Sequence, residues 1–382
     1  MKIVLNVILA KEKGMGGFNV AVNFYYQTLE DNENEWYYFV STVFDEEVKG
    51  LALGLDSEHY FVFPPQPNVR YYFKERKRIR QIEEKIQPDV IYSILAPSYH
   101  RFKTVEVMRC ANAWTVKGGV NKYAWAVTPL KCKIRYLLKA KIVQHLMRNT
   151  KYFITQSEIA RKCICKTVKT SPENVFIVSN VLPVKYHSIN LIKIPHNGFN
   201  LVYASSPAVH KDYLILPQVA SILMQHYGLK GFKIHVTIPD YANVSFFKKI
   251  RELNVEDCFI NHGFMNHLDL INVYSQCDIG LFPSLLETFS GTLLEYMYFK
   301  LPIIASDLDF NREVAEDSAI YFEPHNAEDL AEKIFCVYSN DLLRRTLLKN
   351  ANRVLNNYSN NTDKYLETIS FLQQVVQEND NK

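Results

Sequence analysis

The chain has 382 residues, with 44 Lys and Arg against 40 Asp and Glu, for a formal charge of +4. That length is long for one hydrophobic core and suits two domains, and 48% hydrophobic with 22% charged residues is ordinary for a soluble globular protein. Ile3–Ala10 is apolar but too short to span a bilayer and no cleavage site follows, so neither a signal peptide nor a transmembrane helix is expected.

The seven cysteines are odd in number and show no paired Cys-x2-Cys spacing. Cys163-Ile-Cys165 is too tight for a usual zinc site, which leaves a reducing cytoplasm as the simpler expectation. The charge is unevenly spread. Residues 1–182 carry 27 basic against 17 acidic side chains, and the remainder 17 against 23. Between 101 and 169 there are 16 basic residues and two acids, Glu106 and Glu158, an excess that calls for a partner or another explanation.

In chain order, Lys2–Ile8 reads as a first strand. The turn Gly14-Met15-Gly16-Gly17 precedes a helix over Phe18–Leu29, with Val20, Ala21 and Phe24 on its buried face. Such a glycine turn serves equally as a tight strand-to-helix connection. Tyr37–Val43 and His59–Phe63 read as strands, Phe73–Gln87 as a charged helix, and Pro88–Tyr92 enters another strand. His100 is expected at the surface or in a loop.

Lys131–Lys151 sets Lys131, Lys133, Arg135, Lys139, Lys141 and Arg148 among Ile134, Leu137, Leu138, Ile142 and Leu146 at helical spacing. Two readings stay open. One is a solvated basic helix on its own domain; the other is an amphipathic surface drawn to anionic lipid headgroups, each nearby cation contributing about 1 kcal/mol. No nucleic-acid recognition module is visible, so nucleic acid is not expected as a partner.

Tyr152–Glu158 with a following helix, then Glu173–Asn180, complete a first domain that ends near Val181. Residues 183–200, with Pro195 and Gly198, read as a hinge. Leu201–Ala204 starts a second Rossmann-like half, with the loop Ser205–Asp212 after it and strands over Phe232–Ile238 and Phe259–Phe264.

The richest stretch is Cys277–Asp307. Asp278–Phe282 is short enough for a buried strand, and Pro283 and Ser284 break it. A polar turn then carries Glu287, Thr288, Phe289, Ser290 and Gly291. From Thr292 the pattern is helical until Pro302, and Ile303-Ile304-Ala305 begins another strand. Ligands of open parallel sheets sit at the carboxyl ends of strands, where this turn falls. The helix start offers N–H groups to a phosphate, Gly291 permits close backbone approach, and Ser290 is placed to cap the helix. Glu287 is placed to accept sugar hydroxyls and Glu295 both hydroxyls of a ribose. Any single glutamate is more often a solvated acid; loop, helix dipole and two acids together describe a nucleotide-sugar site.

The segment resembles the E-x7-E region of the retaining GT-B glycosyltransferases of family 4, the glycosyl transferases group 1. The likeness extends through FINHGFMNHLDLINVYSQCDIGLFPS, ETFSGTLLE, KLPIIASDLDFNREV and AIYFEPHNAEDLAEKI, with Thr288 and Ser290 standing where glycine is usual. It implies an α/β GT-B fold: two Rossmann-like parallel-sheet domains facing each other across a cleft. The first, residues 1–182, would bind the acceptor and the second, 183–362, the donor. A C-terminal helix over about 363–382 would pack back on the first.

It further implies catalytic roles for Glu287 and Lys211, the latter on the donor diphosphate. Donor contacts would come from Glu295, Phe289, Ser290, Gly291, Thr292, Gly263, Phe264 and Ser206, the last standing where an arginine is usual. Gly16, Gly17 and Asn112 would lie on the acceptor side, and no histidine stands where relatives often carry one. No metal or other cofactor is expected, and Asp307 and Asp309 read as loop capping rather than a metal motif.

The function implied is transfer of a sugar from a nucleoside-diphosphate sugar to a glycan or lipid-linked acceptor, in surface polysaccharide synthesis. The expected place is the cytoplasm, peripheral on the inner face of the membrane. A UDP-sugar epimerase, a two-carboxylate hydrolase and a non-catalytic nucleotide-sugar-binding or membrane-docking protein are the alternatives.

Overall fold

The computed structural model describes residues 1–11, 16–49, 58–65, 72–116, 121–182, 186, 193–239, 244–265, 267–358 and 361–381. Gly14 and Met15 of the glycine turn, and most of the hinge up to residue 192, lie outside them. The chain forms two compact units. One comprises Met1–Gly118, Arg135–Pro183 and Asn360–Lys382, the other Gly119–Ile134 and Val184–Ser359.

The first unit is built on seven parallel strands: β1 (Lys2–Val7), β2 (Glu35–Ser41), β3 (Tyr60–Phe63), β4 (Val90–Ser93), β5 (Glu106–Arg109), β6 (Tyr152–Thr155) and β7 (Val175–Ile177). They lie side by side in the order β3-β2-β1-β4-β5-β6-β7. Near-continuous apolar runs such as Ile3–Val7, Tyr38–Val40 and Val90–Tyr92 are buried throughout, the signature of a parallel sheet covered on both faces. Ser41 ends β2 two residues earlier than its apolar run suggests. Its hydroxyl accepts the Phe44 N–H at 3.0 Å and starts a helix, Thr42–Val48. The short β5 escapes sequence reading because a glutamate and an arginine close its ends.

The C-terminal helix Asn361–Asp380 belongs to this unit. Ile369, Leu372 and Val375 enter the same core as β1 and β4, Phe371 stacks on Phe176 at 4.9 Å, and the Tyr365 hydroxyl donates to Asp31.

The second unit has six parallel strands: β8 (Phe199–Tyr203), β9 (Phe232–Val236), β10 (Phe259–Asn261), β11 (Ile279–Phe282), β12 (Ile303–Ser306) and β13 (Ala319–Phe322). Their order is β10-β9-β8-β11-β12-β13. Both sheets thus run outward from their first strand in one direction and then in the other, the doubly wound Rossmann topology. Two parallel α/β units are what the resemblance implied. Residues 119–134, expected in the first domain, cluster with the second instead. Asn121 caps the helix Lys122–Val127, and its amide nitrogen donates to the Leu285 carbonyl at 2.8 Å.

A candidate donor site at the switch point of the second sheet

In a doubly wound sheet the chain diverges between the strand that starts the fold and the strand that resumes it on the other side; the crevice beyond their carboxyl ends is where ligands bind. In the second unit those strands are β8 and β11, paired through Ile279 with Leu201 and Gly280 with Val202. The loop after β8 carries Lys211, and the loop after β11 carries Glu287. Lys211 Nζ and Glu287 Oε1 form an ion pair here, each side chain less than one-fifth exposed.

The surrounding hydrogen bonds show why these loops meet. The Leu285 N–H donates to the His210 carbonyl at 2.7 Å, tying one loop to the other. Ser284 Oγ donates to Glu287 Oε1 at 2.9 Å. Beneath, the Ser306 hydroxyl supports the Ser284 carbonyl at 2.5 Å, and the buried Asn311 amide bonds Ser306 O and Oγ at 2.9 and 2.8 Å. The acid is therefore aimed by a relay that starts in the helix Asp309–Ala315, just after the neighbouring strand β12. His210 sits beside the pair with its imidazole pushed down to about 4, by burial first and by the Lys211 ammonium second.

Glu295 lies on the helix Gly291–Tyr298 and is 5% exposed. Tyr274 donates its hydroxyl to Glu295 Oε2 at 2.7 Å, and the Tyr186 hydroxyl reaches Oε1 at 3.4 Å. Neither tyrosine was singled out from the sequence. Two such bonds use part of a carboxylate's acceptor capacity and fix its plane.

The other predicted donor residues are less uniform. Ser290 occupies the N-cap position, with φ −116° and ψ 119°, but its side chain makes no capping bond, contrary to expectation. Phe289 is buried, its ring edge-on against Tyr358 with centroids 5.6 Å apart. Gly291 and Thr292 are half-buried at the helix start, and a Cβ at Gly291 would meet nothing within 4 Å. Gly263 adopts φ +69° just past β10, with Phe264 beside it 70% exposed. Ser206 is exposed in the loop after β8.

Asp307 and Asp309 do not cap. The helix Asp309–Ala315 starts without a side-chain cap, and Asp307 instead forms a two-pronged ion pair with Arg312. That pairing holds the Asp307 carboxyl below its ordinary range, with the Arg312 hydrogen bond as the main cause.

Of the residues assigned to an acceptor side by the resemblance, Gly16 and Gly17 form the first turn of the helix Gly16–Glu30 rather than a loop before it. A Cβ at Gly17 would press on Leu95 at 3.1 Å, while Gly16 faces open space. Asn112 is exposed and accepts the Thr115 N–H at 3.2 Å at the start of a short helix. His100 lies in a loop, one of its two expected places, but not at the surface. It is 7% exposed, and burial, with Arg76 nearby, pushes its imidazole down to about 4.

Doubly wound strands, with a cation and an acid converging at the switch point, define the class of the second unit: a Rossmann-type domain. Residues 234–354 match the family described as glycosyl transferases group 1.

Among curated relatives, the chain is 31% identical over 99 residues to an N,N'-diacetylbacillosaminyl-diphospho-undecaprenol alpha-1,3-N-acetylgalactosaminyltransferase of Campylobacter jejuni, covering 24% of this chain and 26% of that protein. It is 26% identical over 201 residues to the O-antigen chain mannosyltransferase RfbU of Salmonella typhimurium, 51% of each. The chain thus spans about a quarter and about half of the lengths of these relatives. The solved structure of Anabaena HepE with UDP and glucose shares the fold over 98% of this chain and 100% of its own, with a TM-score of 0.71 at 13% identity.

Proposed function

We propose that the protein is a retaining glycosyltransferase of family 4 that moves a sugar from a nucleoside-diphosphate sugar to a glycan or lipid-linked glycan acceptor in surface polysaccharide synthesis. The observation that carries this is the Lys211–Glu287 pair at the switch point of the second sheet. The names of the relatives support it: one acts on a diphospho-undecaprenol acceptor, another on the O-antigen chain, and HepE is described with UDP and glucose.

In this scheme the donor diphosphate lies against Lys211 and the start of the helix Gly291–Tyr298, and Glu295 takes the ribose. As the glycosidic bond breaks, charge grows on the diphosphate and the Lys211 ammonium stabilises it without a metal. Glu287 positions that ammonium and accepts hydroxyls of the transferred sugar. The loop Gly263–Phe264 takes the base, and the first unit, through Gly16, Gly17 and Asn112, takes the acceptor. The sugar cation is oxocarbenium-like and is captured on the face the diphosphate leaves, which retains configuration.

The exposed side of the helix Leu130–Met147 supports a peripheral place on the cytoplasmic face of a membrane. The helix buries Ala140, Val143 and Met147 and leaves Ile134, Leu137, Leu138 and Ile142 exposed among Lys131, Arg135, Lys139 and Lys141. Apolar groups flanked by cations match an anionic lipid surface. Among the described residues no helix is long and apolar enough to cross a membrane.

The test is incubation with a panel of nucleoside-diphosphate sugars and lipid-linked acceptors, followed by NMR assignment of the product anomer. Retained configuration that disappears in Glu287→Gln is expected. An inverted product, or a sugar nucleotide isomerised without acceptor, overturns the proposal.

A further inference from the structure

Arg109 ends β5 in the first unit and is 4% exposed. Its Nη2 donates to Asn180 Oδ1 at 2.7 Å, while Nη1 is buried with no hydrogen-bond partner. Among the described residues no carboxylate pairs with it. A guanidinium cannot shed its proton to escape this position, and a buried charge without a counter-ion is costly. The side chain lines a cavity of about 60 Å³ together with Asn23, Gln27, Ser179, Lys364 and Thr368. One water needs about 10–15 Å³ measured in this way, so the space suits several waters or one tetrahedral oxyanion.

We propose that this cavity is an oxyanion site in which Arg109 and Asn180 receive a phosphate-sized group. The planar fork of Arg109 is suited to two oxygens of one anion. Lys364, one turn from Thr368 on the helix Asn361–Asp380, adds a second cation at the cavity wall; its ammonium is held by Glu367 at 2.8 Å. The site lies wholly within the first unit and is distinct from the Lys211 loop. It therefore stands or falls independently of the donor-site proposal. The shared chemistry is a phosphoryl group, carried either on a lipid-linked acceptor or as free phosphate.

The test is thermal unfolding of the full chain in inorganic phosphate against chloride at matched ionic strength. Ligands that bind only the folded state raise Tm by an amount that grows as the logarithm of one plus the ratio of free ligand concentration to Kd. The expected result is a phosphate-dependent rise that survives in Lys211→Met and is lost in Arg109→Gln. Gln27→Glu guards against a folding failure of the arginine variant. It supplies a built-in carboxylate to the same cavity, and is expected to raise Tm without phosphate and to abolish the phosphate response.

A response lost in Lys211→Met and kept in Arg109→Gln would place all phosphate binding at the donor loop and overturn the inference. So would a wild-type chain indifferent to phosphate, or a Gln27→Glu variant that still responds. Repeating the titration with a short-chain prenyl phosphate separates the sources. A dissociation constant, read from the concentration dependence of Tm, well below that of inorganic phosphate and dependent on Arg109 assigns the site to the acceptor lipid. Equal dissociation constants assign it to the free ion.

Discussion

Tyr296 fills the space that Gly280 leaves open in β11. A Cβ at Gly280 would come within 2.4 Å of the Tyr296 ring. Through that gap the tyrosine hydroxyl reaches the seam between β8 and β11, accepting the Ala204 N–H at 3.1 Å and lying 3.3 Å from the carbonyls of Val202 and Leu281. The two strands that carry the candidate catalytic loops are thus pinned from below by a side chain of the helix that carries Glu295.

Gly280→Ala is therefore expected to destabilise the protein. The ring is fully buried and anchored at its far end, so it cannot swing aside. Overpacking of this kind costs typically about 1–3 kcal/mol. Urea unfolding checks it. Tyr296→Phe, which keeps the ring and loses the hydroxyl, should cost less, about 1 kcal/mol for a net hydrogen bond. An alanine variant as stable as the wild type would show that the ring is not fixed.

Lys211 and Glu287 neutralise each other in the free protein, so their variants should separate binding from stability. Lys211→Met leaves a mostly buried carboxylate with Ser284 alone. It is expected to cost roughly 1–3 kcal/mol of stability. Turnover should fall by about 10²–10³, the usual range for a lost electrostatic stabiliser. Glu287→Gln keeps an acceptor for both partners and should lose turnover with a smaller change in stability. Denaturant midpoints and single-turnover rates on the same preparations distinguish the two effects.

Much of this was legible in the sequence for a physical reason. The strands of a sheet buried on both faces must be short apolar runs, and β1, β4, β11 and β12 announce themselves in this way. Glu287 and Lys211 were legible because each stands in a polar loop directly after such a run. What stayed hidden depends on long-range packing. Tyr274, Tyr186 and Tyr296 look like ordinary core aromatics until the fold aims their hydroxyls. Gly280 did carry a signal, since a glycine inside a strand marks close approach of another group. Ser290 has the residue type of a helix cap, yet its backbone alone takes that place. His100 looked like a loop residue because burial in a folded loop leaves no periodic trace.

Stability should fall with acidity. Burial holds the imidazoles of His100 and His235 down at about 4, aided by Arg76 for the first and by His262, His196 and Lys233 for the second. The unfolded chain takes up protons near pH 6.5 that the folded one refuses. Their contribution is thus complete above pH 6.5 and is lost as pH falls toward 4, at about 1.4 kcal/mol per pH unit for each histidine. His325 acts in the opposite sense. Its hydrogen bond to Asp212 raises its pKa, so its contribution is present below pH 6.5 and fades as pH rises; half exposed, it counts for little. Urea unfolding at pH 7.5 and 5.0 is expected to show a loss that shrinks by about one proton's worth of slope in His235→Gln.

Tyr274 and Glu295 should behave as a unit. Removing the hydroxyl in Tyr274→Phe takes a donor from a buried carboxylate and is expected to cost about 1.5–3 kcal/mol, the range for hydrogen bonds to charged groups. If Glu295 holds the ribose, Glu295→Ala should nearly abolish nucleoside-diphosphate affinity, and Tyr274→Phe should weaken it by a smaller factor through a misaligned carboxylate. Calorimetric titration of both variants decides the matter. Unchanged affinity in Glu295→Ala would remove the acid from the donor site.

The helix Leu130–Met147 gives the last prediction its form, because its exposed side mixes two kinds of group with different salt responses. Leu137, Leu138 and Ile142 gain by leaving water whatever the ionic strength, whereas Lys131, Lys139 and Lys141 act through a field that salt screens within about 8–10 Å. Binding to phosphatidylglycerol vesicles should therefore weaken with added salt without vanishing, and binding to phosphatidylcholine should be weak at any salt. At about 1 kcal/mol per cation, Lys139→Gln with Lys141→Gln should lower affinity for the anionic vesicles by about 30-fold and flatten the salt dependence. Leu137→Ser with Leu138→Ser should lower it while leaving that dependence intact. Flotation assays read both. Equal binding to the two lipids, or a double lysine variant as tightly bound as the wild type, would show that this face serves something other than a membrane.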